Sequence, residues 1–264
     1  MKTVLTIAAS DSSSGAGVQA DLAVFRELGT YGFCAVTNVT AQNSCGVAKI
    51  AKVPPRIIAA QIDAVTRDFE VDACKVGMLY FPQAVTAVVG RIKRRQIPNI
   101  VLDPVMSAKH GEKLLTEQAI KRIKRSLIPL VKVITPNYHE AYMLTGIKIT
   151  DGDSACEAAK MLVEMGAQYA LVKGGHAANE PVDVLFDGKN FHKFVGRRIE
   201  KQMHGTGCIL SAAIAARLAL GDDVVSAVEF AKAYVTSAID NSVTMGKSRM
   251  SYYVGSGSVT IADC

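Results

Sequence analysis

Tryptophan is absent from this 264-residue chain, and aromatic residues make up only 6% of it. No apolar run reaches the roughly 18 residues that span a bilayer, which excludes a helical membrane protein. The six cysteines, Cys34, Cys45, Cys74, Cys156, Cys208 and Cys264, are irregularly spaced and contain no C-x-x-C. That pattern argues against a zinc site or a disulfide framework and fits a reducing cytoplasm. The opening MKTVLTIAASDSS has a single lysine and an apolar run too short for a leader, so it reads as a first buried strand. Internal repeats, low-complexity tracts and boundary linkers are also missing, and one domain over residues 1–264 is the expectation.

What the chain does have is apolar residues, at 49%, and an excess of positive charge, formally +6. Much of that charge sits in RIKRRQ (91–96) and KRIKR (121–125). Both lie in stretches whose apolar residues recur at helical spacing, with Val88, Val89 and Ile92 in one and Ile120, Ile123 and Leu127 in the other. The basic residues then form a solvated face, and no aromatic side chain is interleaved with them. Neither nucleic acid nor a membrane is expected as a partner.

Short β-rich runs alternate with amphipathic stretches along most of the chain, from VLTIAA and DLAVFREL through NIVLDPV to YALVKGG. This is the pattern of an α/β fold with a mostly parallel central sheet covered on both faces. PVDVLFDG and NFHKFVG, joined by a DGKN turn, predict an antiparallel hairpin at one edge. Helices are expected at about 137–145, 153–166 and 206–220, the last apolar nearly all round and therefore buried. In such sheets ligands sit at the carboxyl ends of the strands. SDSSSGAG, AQNS, DPVM, TPNYHE and KGGH are all expected there.

Two nucleotide motifs fail on inspection. GAGVQA (15–20) matches a dinucleotide fingerprint, but the second strand ends VTNVTAQN without the acid that would hold a ribose. The alternatives are a flexible turn, or a loop whose backbone donors at Gly15 and Ala16, with Asp21 one helical turn on, line a small-molecule pocket. GKS (246–248) lacks the preceding P-loop glycine, since Asn241 stands there, and it follows a helix.

HGTGC (204–208) is the stronger phosphate cradle. Its glycines allow close backbone approach, and the N–H groups of Gly205, Thr206, Gly207 and Cys208 converge at a helix start. The same helix start favours a thiolate at Cys208, which makes it a candidate base for a phosphoryl acceptor. The bland alternative is a buried apolar plug. In TPNYHE, Asn137 and Glu140 share a helix face and suit a magnesium ion, or they form a capping box. Asp103 in DPVM would be a second metal-directed carboxylate, and Lys173 in KGGH a cation for phosphate.

Taken in order, SDSSSGAGVQAD, AQNSCGV, KVGML, LDPVM, TPNYHEA, VKGGH and HGTGC resemble the hydroxymethylpyrimidine and phosphomethylpyrimidine kinase family, part of the ribokinase-like superfamily. The resemblance covers nearly the whole chain. It implies a three-layer fold, magnesium and ATP, and two successive phosphorylations of an aminopyrimidine alcohol in thiamine biosynthesis. Gln42 matches the family's pyrimidine-contacting glutamine, Asp21 its acid in the first helix, and Met78 an apolar wall. Residues 205–208 match the anion hole, with Cys208 in the place of the superfamily's aspartate base. Asn137 and Glu140 match a magnesium-linked pair, and Lys173 a nucleotide-side lysine. Relatives suggest a homodimer. Ala9 and Ser14 replace two usual loop glycines, which strains any left-handed backbone there.

The first alternative is a pyridoxine or pyridoxal kinase of the same fold, against which Gln42 in A-Q-N discriminates. A cysteine hydrolase using His204 and Cys208 as a dyad fares poorly, because His204 precedes the helix and no orienting third residue is apparent. A non-catalytic pyrimidine or nucleotide sensor would need none of the acid, base and metal positions the chain keeps.

Overall fold

The computed structural model describes residues 1–106, 114–174 and 181–255. Strand β1 (Thr3–Asp11) leads into helix α1 (Gly17–Glu27), followed by β2 (Tyr31–Asn43) and β3 (Gly46–Lys52). Helix α2 (Pro55–Asp68), β4 (Ala73–Val76), α3 (Pro82–Arg95), β5 (Ile100–Leu102) and the short α4 (Glu117–Arg122) come next. Then follow β6 (Val133–Ile134), α5 (Tyr138–Thr145), α6 (Gly152–Glu164), β7 (Tyr169–Val172), β8 (Val182–Phe186) and β9 (Phe191–Val195). The described chain closes with α7 (Thr206–Leu220), α8 (Val224–Asn241), β10 (Val243–Met245) and β11 (Met250–Tyr252).

Strands β1 to β9 form one sheet in the order β3-β2-β1-β4-β5-β6-β7-β8-β9. The six from β2 to β7 are parallel, β3 is antiparallel at one edge, and the β8–β9 hairpin closes the other. The expected hairpin is therefore in place. Alternation along each strand sends side chains to opposite faces, and two apolar cores result. Leu5, Ile7, Val76, Leu102 and Ile134 meet α2 to α6, whereas Val4, Ala73, Val101 and Val133 meet α1, α7 and α8. Helix α7 is buried along nearly its whole length, as its all-round apolar sequence requires.

One sequence expectation is corrected. AQNS is not a loop after the second strand, because β2 runs on to Asn43 and turns back as β3. The turn is a tight one at residues 43–46, with Asn43 Oδ1 accepting from Cys45 N–H at 2.8 Å. The resulting flap is tied down at its tip, where Ser248 N–H approaches Ser44 Oγ at 3.4 Å and Ser248 Oγ donates to the Ser44 carbonyl. The rejected GKS motif thus clamps the flap from the small β10–β11 hairpin.

Candidate active site

The carboxyl ends of β1, β4, β5 and β7 converge on the start of α7. Gly205 caps that helix in the left-handed region (φ 77°), and a Cβ there would meet the Gly15 carbonyl at 1.9 Å. Glycine is obligatory on both counts. A Cβ on Gly207 would lie 3.2 Å from Lys173 Nζ and 3.5 Å from Asp103 Oδ2. The bare backbone therefore leaves a space bounded by helix N–H groups, an ammonium and a carboxylate, which is the chemistry of a phosphate site.

Lys173 Nζ donates to Asp103 Oδ1 at 3.2 Å, while Asp103 Oδ2 is buried with no partner. Burial favours the neutral amine of Lys173, but Asp103 and Glu140 outweigh it and hold the lysine charged. At α5 the capping box is real: Asn137 Oδ1 accepts from Glu140 N–H at 2.9 Å, and a Glu140 carboxylate oxygen accepts from Asn137 N–H at 2.8 Å. Burial, reinforced by Asp103 and opposed by Lys173, pushes Glu140 up to about 7. A cation entering here meets one carboxylate oxygen without a partner and a second acid poised to ionise. No three His, Cys, Asp or Glu groups among the described residues form a metal cage. The residues fit an ion such as magnesium, which keeps few protein ligands and fills its shell with water and phosphate oxygens.

Cys208 is half-buried in the first turn of α7, where its sulfur accepts from Gly17 N–H. The expected thiolate is corrected. Burial pushes the thiol up to about 11, with Asp103 and Asp21 adding to the rise, and the nearby Lys75 only partly offsets them. Helix-end stabilisation of a few tenths to about 1 kcal/mol is smaller than such a burial effect.

A direct substrate contact by Asp21 is corrected as well. Thr6 and Lys75 are register partners on β1 and β4, facing α1, and Asp21 descends from that helix between them. Lys75 Nζ lies 2.9 Å from both carboxylate oxygens, and Thr6 Oγ1 donates to Oδ2 at 2.6 Å. Both side chains of the ion pair are 0% exposed. Asp21 is therefore spent on Lys75, whose charge is near enough to Cys208 to bear on its thiol. Burial favours neutral Lys75, and Asp21 overrides it.

Met78 packs with Ala9 and Leu114 in a small apolar cluster that Val47 and Ile50 of the flap complete. This gives the wall expected of it a position between flap and strand ends. Gln42 stands on the flap at an irregularity, since Ala41 pairs with Lys49 but Gln42 with Val47. Such a bulge re-aims a side chain. Ser12 Oγ fixes the Gln42 backbone reciprocally, donating to its carbonyl at 2.7 Å and accepting its N–H at 2.8 Å.

The loop at 12–16 turns most of its donors inward rather than toward a ligand. Asp11 accepts from Ser13 N–H at 2.8 Å and from Ala16 N–H at 2.9 Å, which corrects the expectation of a free donor at Ala16. Ser14, one of the two glycine replacements, adopts φ 59°, whereas Ala9 stays in β1 without strain. Gly15 is packed so closely that a Cβ would meet the His204 ring at 2.2 Å. His204 itself lies 2.9 Å from both Asp11 and Gln42, and Cys208 is not among its hydrogen-bond partners. The cysteine–histidine dyad is thereby excluded. Asp11, His204 and Lys75 carry weight the sequence reading did not give them. The available signals were an acid ending β1, a histidine leading GTGC, and a lysine inside a buried strand.

Phosphoryl transfer is the chemistry such a corner serves, and the solved structures similar to the chain, pyridoxal and phosphomethylpyrimidine kinases, place the fold in the class of ribokinase-like small-molecule kinases. A sequence model described as phosphomethylpyrimidine kinase matches residues 11–252. The chain is 43% identical to a hydroxymethylpyrimidine/phosphomethylpyrimidine kinase of Haemophilus influenzae, over 94% of each chain. It is 45% identical to the thiamine biosynthesis bifunctional protein ThiED of Geobacter sulfurreducens, covering 93% of this chain but only 50% of that protein. Among solved structures, an ADP complex of Bacillus subtilis pyridoxal kinase superposes with a TM-score of 0.90 at 36% identity, over 97% of this chain and 98% of that one. By these likenesses the chain belongs to the phosphomethylpyrimidine kinase family.

Proposed function

We propose that this kinase phosphorylates 4-amino-5-hydroxymethyl-2-methylpyrimidine and then its monophosphate, with ATP and magnesium, in thiamine biosynthesis. The observation that carries the reading is the length of the likeness. It runs through the Gln42 flap as well as the phosphate corner, at 43% identity to the pyrimidine kinase against 36% to the pyridoxal kinase that superposes over a similar length.

The residues divide the work by position. The α7 N–H groups and Lys173 orient and neutralise the migrating phosphoryl group, and Gln42 and Met78 hold the pyrimidine. Magnesium, when bound, neutralises phosphate charge, and Asp103 and Glu140 are the carboxylates that would hold it. Asn137 fixes Glu140 through the capping box, and Thr206 supplies an N–H beside the nucleotide phosphates. Cys208 accepts the proton of the substrate hydroxyl as the oxygen–phosphorus bond forms, acting in its thiolate form, which Lys75 and the Gly17 N–H favour against the burial that keeps the resting thiol protonated. The reading extends to a cytoplasmic location, consistent with the free cysteines, and to a homodimer. Among the described residues no helix is long and apolar enough to cross a membrane.

The pyridoxal kinase reading has the structural superposition in its favour. A competition assay decides: the pyrimidine alcohol, its monophosphate and pyridoxine are offered together with magnesium ATP. The pyrimidines are expected to show the higher kcat/KM, and a preference for pyridoxine would overturn the reading.

A further inference from the structure

His204 Nε2 presents a proton-counting problem. It lies 2.9 Å from Asp11 Oδ2 and 2.9 Å from the end of the Gln42 amide. A single ring nitrogen carries either a proton or a lone pair. Asp11 has hydrogen bonds from Ser13 as well as His204, and although burial opposes its charge these bonds keep the carboxyl below its ordinary pKa. It is an acceptor only, so Nε2 must carry a proton and give it to Asp11. An amide nitrogen facing that N–H would set donor against donor.

The other end of the amide meets the mirror problem. Thr40 Oγ1 lies 3.4 Å from it and donates its one proton to the Ser10 carbonyl at 2.9 Å. An amide oxygen facing Thr40 would set acceptor against acceptor. A half turn about the last side-chain bond removes both conflicts at once, because the two ends of a carboxamide have nearly the same shape.

We infer that Asp11, His204 and Thr40 are specificity-determining positioning residues that lock the Gln42 amide with its oxygen toward His204 and its nitrogen toward Thr40. Resting on the proposed role of Gln42 in pyrimidine binding, this lock leaves one amide lone pair and one N–H side by side for substrate. A ring nitrogen beside an exocyclic amine is the complement of that pair. A 4-oxo ring presents the reverse, an N–H beside a carbonyl, and only a turned amide could match it. The locked amide therefore rejects 4-oxo rings, and an unlocked one tolerates them.

The test compares kcat/KM for the 4-amino alcohol and its 4-oxo analogue in wild type, Thr40→Val, Thr40→Ser and His204→Phe. Wild type is expected to favour the amino ring by at least about 10²-fold, the scale on which hydrogen-bonding sites reject mismatched polar groups. Thr40→Val and His204→Phe are expected to bring that ratio to within about tenfold, with Thr40→Ser restoring it. An unchanged ratio in both disrupting variants, with native circular dichroism, overturns the lock. No preference in wild type overturns the role of Gln42 itself. A second measurement needs neither substrate nor variant. In ¹⁵N-labelled wild-type protein, a scalar coupling between Gln42 Nε2 and His204 Nε2 would show the opposite orientation and sink the inference, and its absence is the expected result.

Discussion

Two lysine–aspartate pairs flank the start of α7, and they are built in opposite ways. Lys75–Asp21 is closed: both side chains are fully buried, and both carboxylate oxygens have partners. Lys173–Asp103 is open, with the lysine side chain 14% exposed and one carboxylate oxygen unpartnered. A closed pair has spent its valences inside the protein and sets the field from below. An open pair keeps a charge-bearing oxygen in reserve, which is costly unless a ligand arrives to use it.

The largest effects should come from breaking the closed pair. Lys75→Met strands Asp21 in the core, and urea denaturation is expected to show a loss of about 3–5 kcal/mol. Adding Asp21→Asn should recover much of it, and a double variant as unstable as the single would mean the pair is not a unit. In the open pair Lys173→Met should cost less stability but lower kcat/KM for ATP by about 10²-fold or more. Equal stability losses at the two lysines would erase the contrast.

Cys208→Ala tests what lies between the pairs. The hydroxymethyl step should slow by about 10²-fold, the ordinary scale for losing a general base. The phosphate acceptor of the second step is already ionised near neutral pH, since its second pKa is about 6, so that step should slow at least about tenfold less. Single-turnover assays of each step separate the two. A smaller effect is expected from Gln42→Met, which should raise KM for the pyrimidine about tenfold and leave KM for ATP alone.

The pH dependence at Glu140 is smaller still. Its folded pKa of about 7 lies above the ordinary 4.5, so the folded protein binds the extra proton and stability falls as pH rises between those values. Glu140→Gln removes that slope. Its melting temperature relative to wild type should therefore be higher at pH 8 than at pH 4.5, by an amount on the order of 1 kcal/mol in stability. Calorimetry at the two pH values reads the sign.

Much of the scaffold was legible because it follows from local pattern. The all-round apolar run ILSAAIAARLAL, with GTGC ahead of it and Gly221 behind it, gave α7 its observed limits, and DGKN between two β-like runs gave the edge hairpin. The β2–β3 flap escaped because its second strand, GVAKIAK, is mostly exposed and its turn looks like any polar loop. Asp21 and Cys208 went wrong for a different reason. Their behaviour depends on burial by distant segments, and a helix-start rule contains only the local dipole. TPNYHE was ambiguous in sequence because a capping box and a metal-directed carboxylate need the same spacing, and here Glu140 sits in the first while facing the charges of the second.

The β10–β11 hairpin has a consequence for how the enzyme comes into being. Ser251 hands its carbonyl to His204 N–H at 2.9 Å, and Ser248 closes the tip of the flap. Both belong to the last stretch of the described chain to emerge from the ribosome. The sheet can assemble while translation continues, but the clamp on the β2–β3 flap must wait for that late stretch, so a stalled nascent chain would be folded in outline with its flap still unfastened.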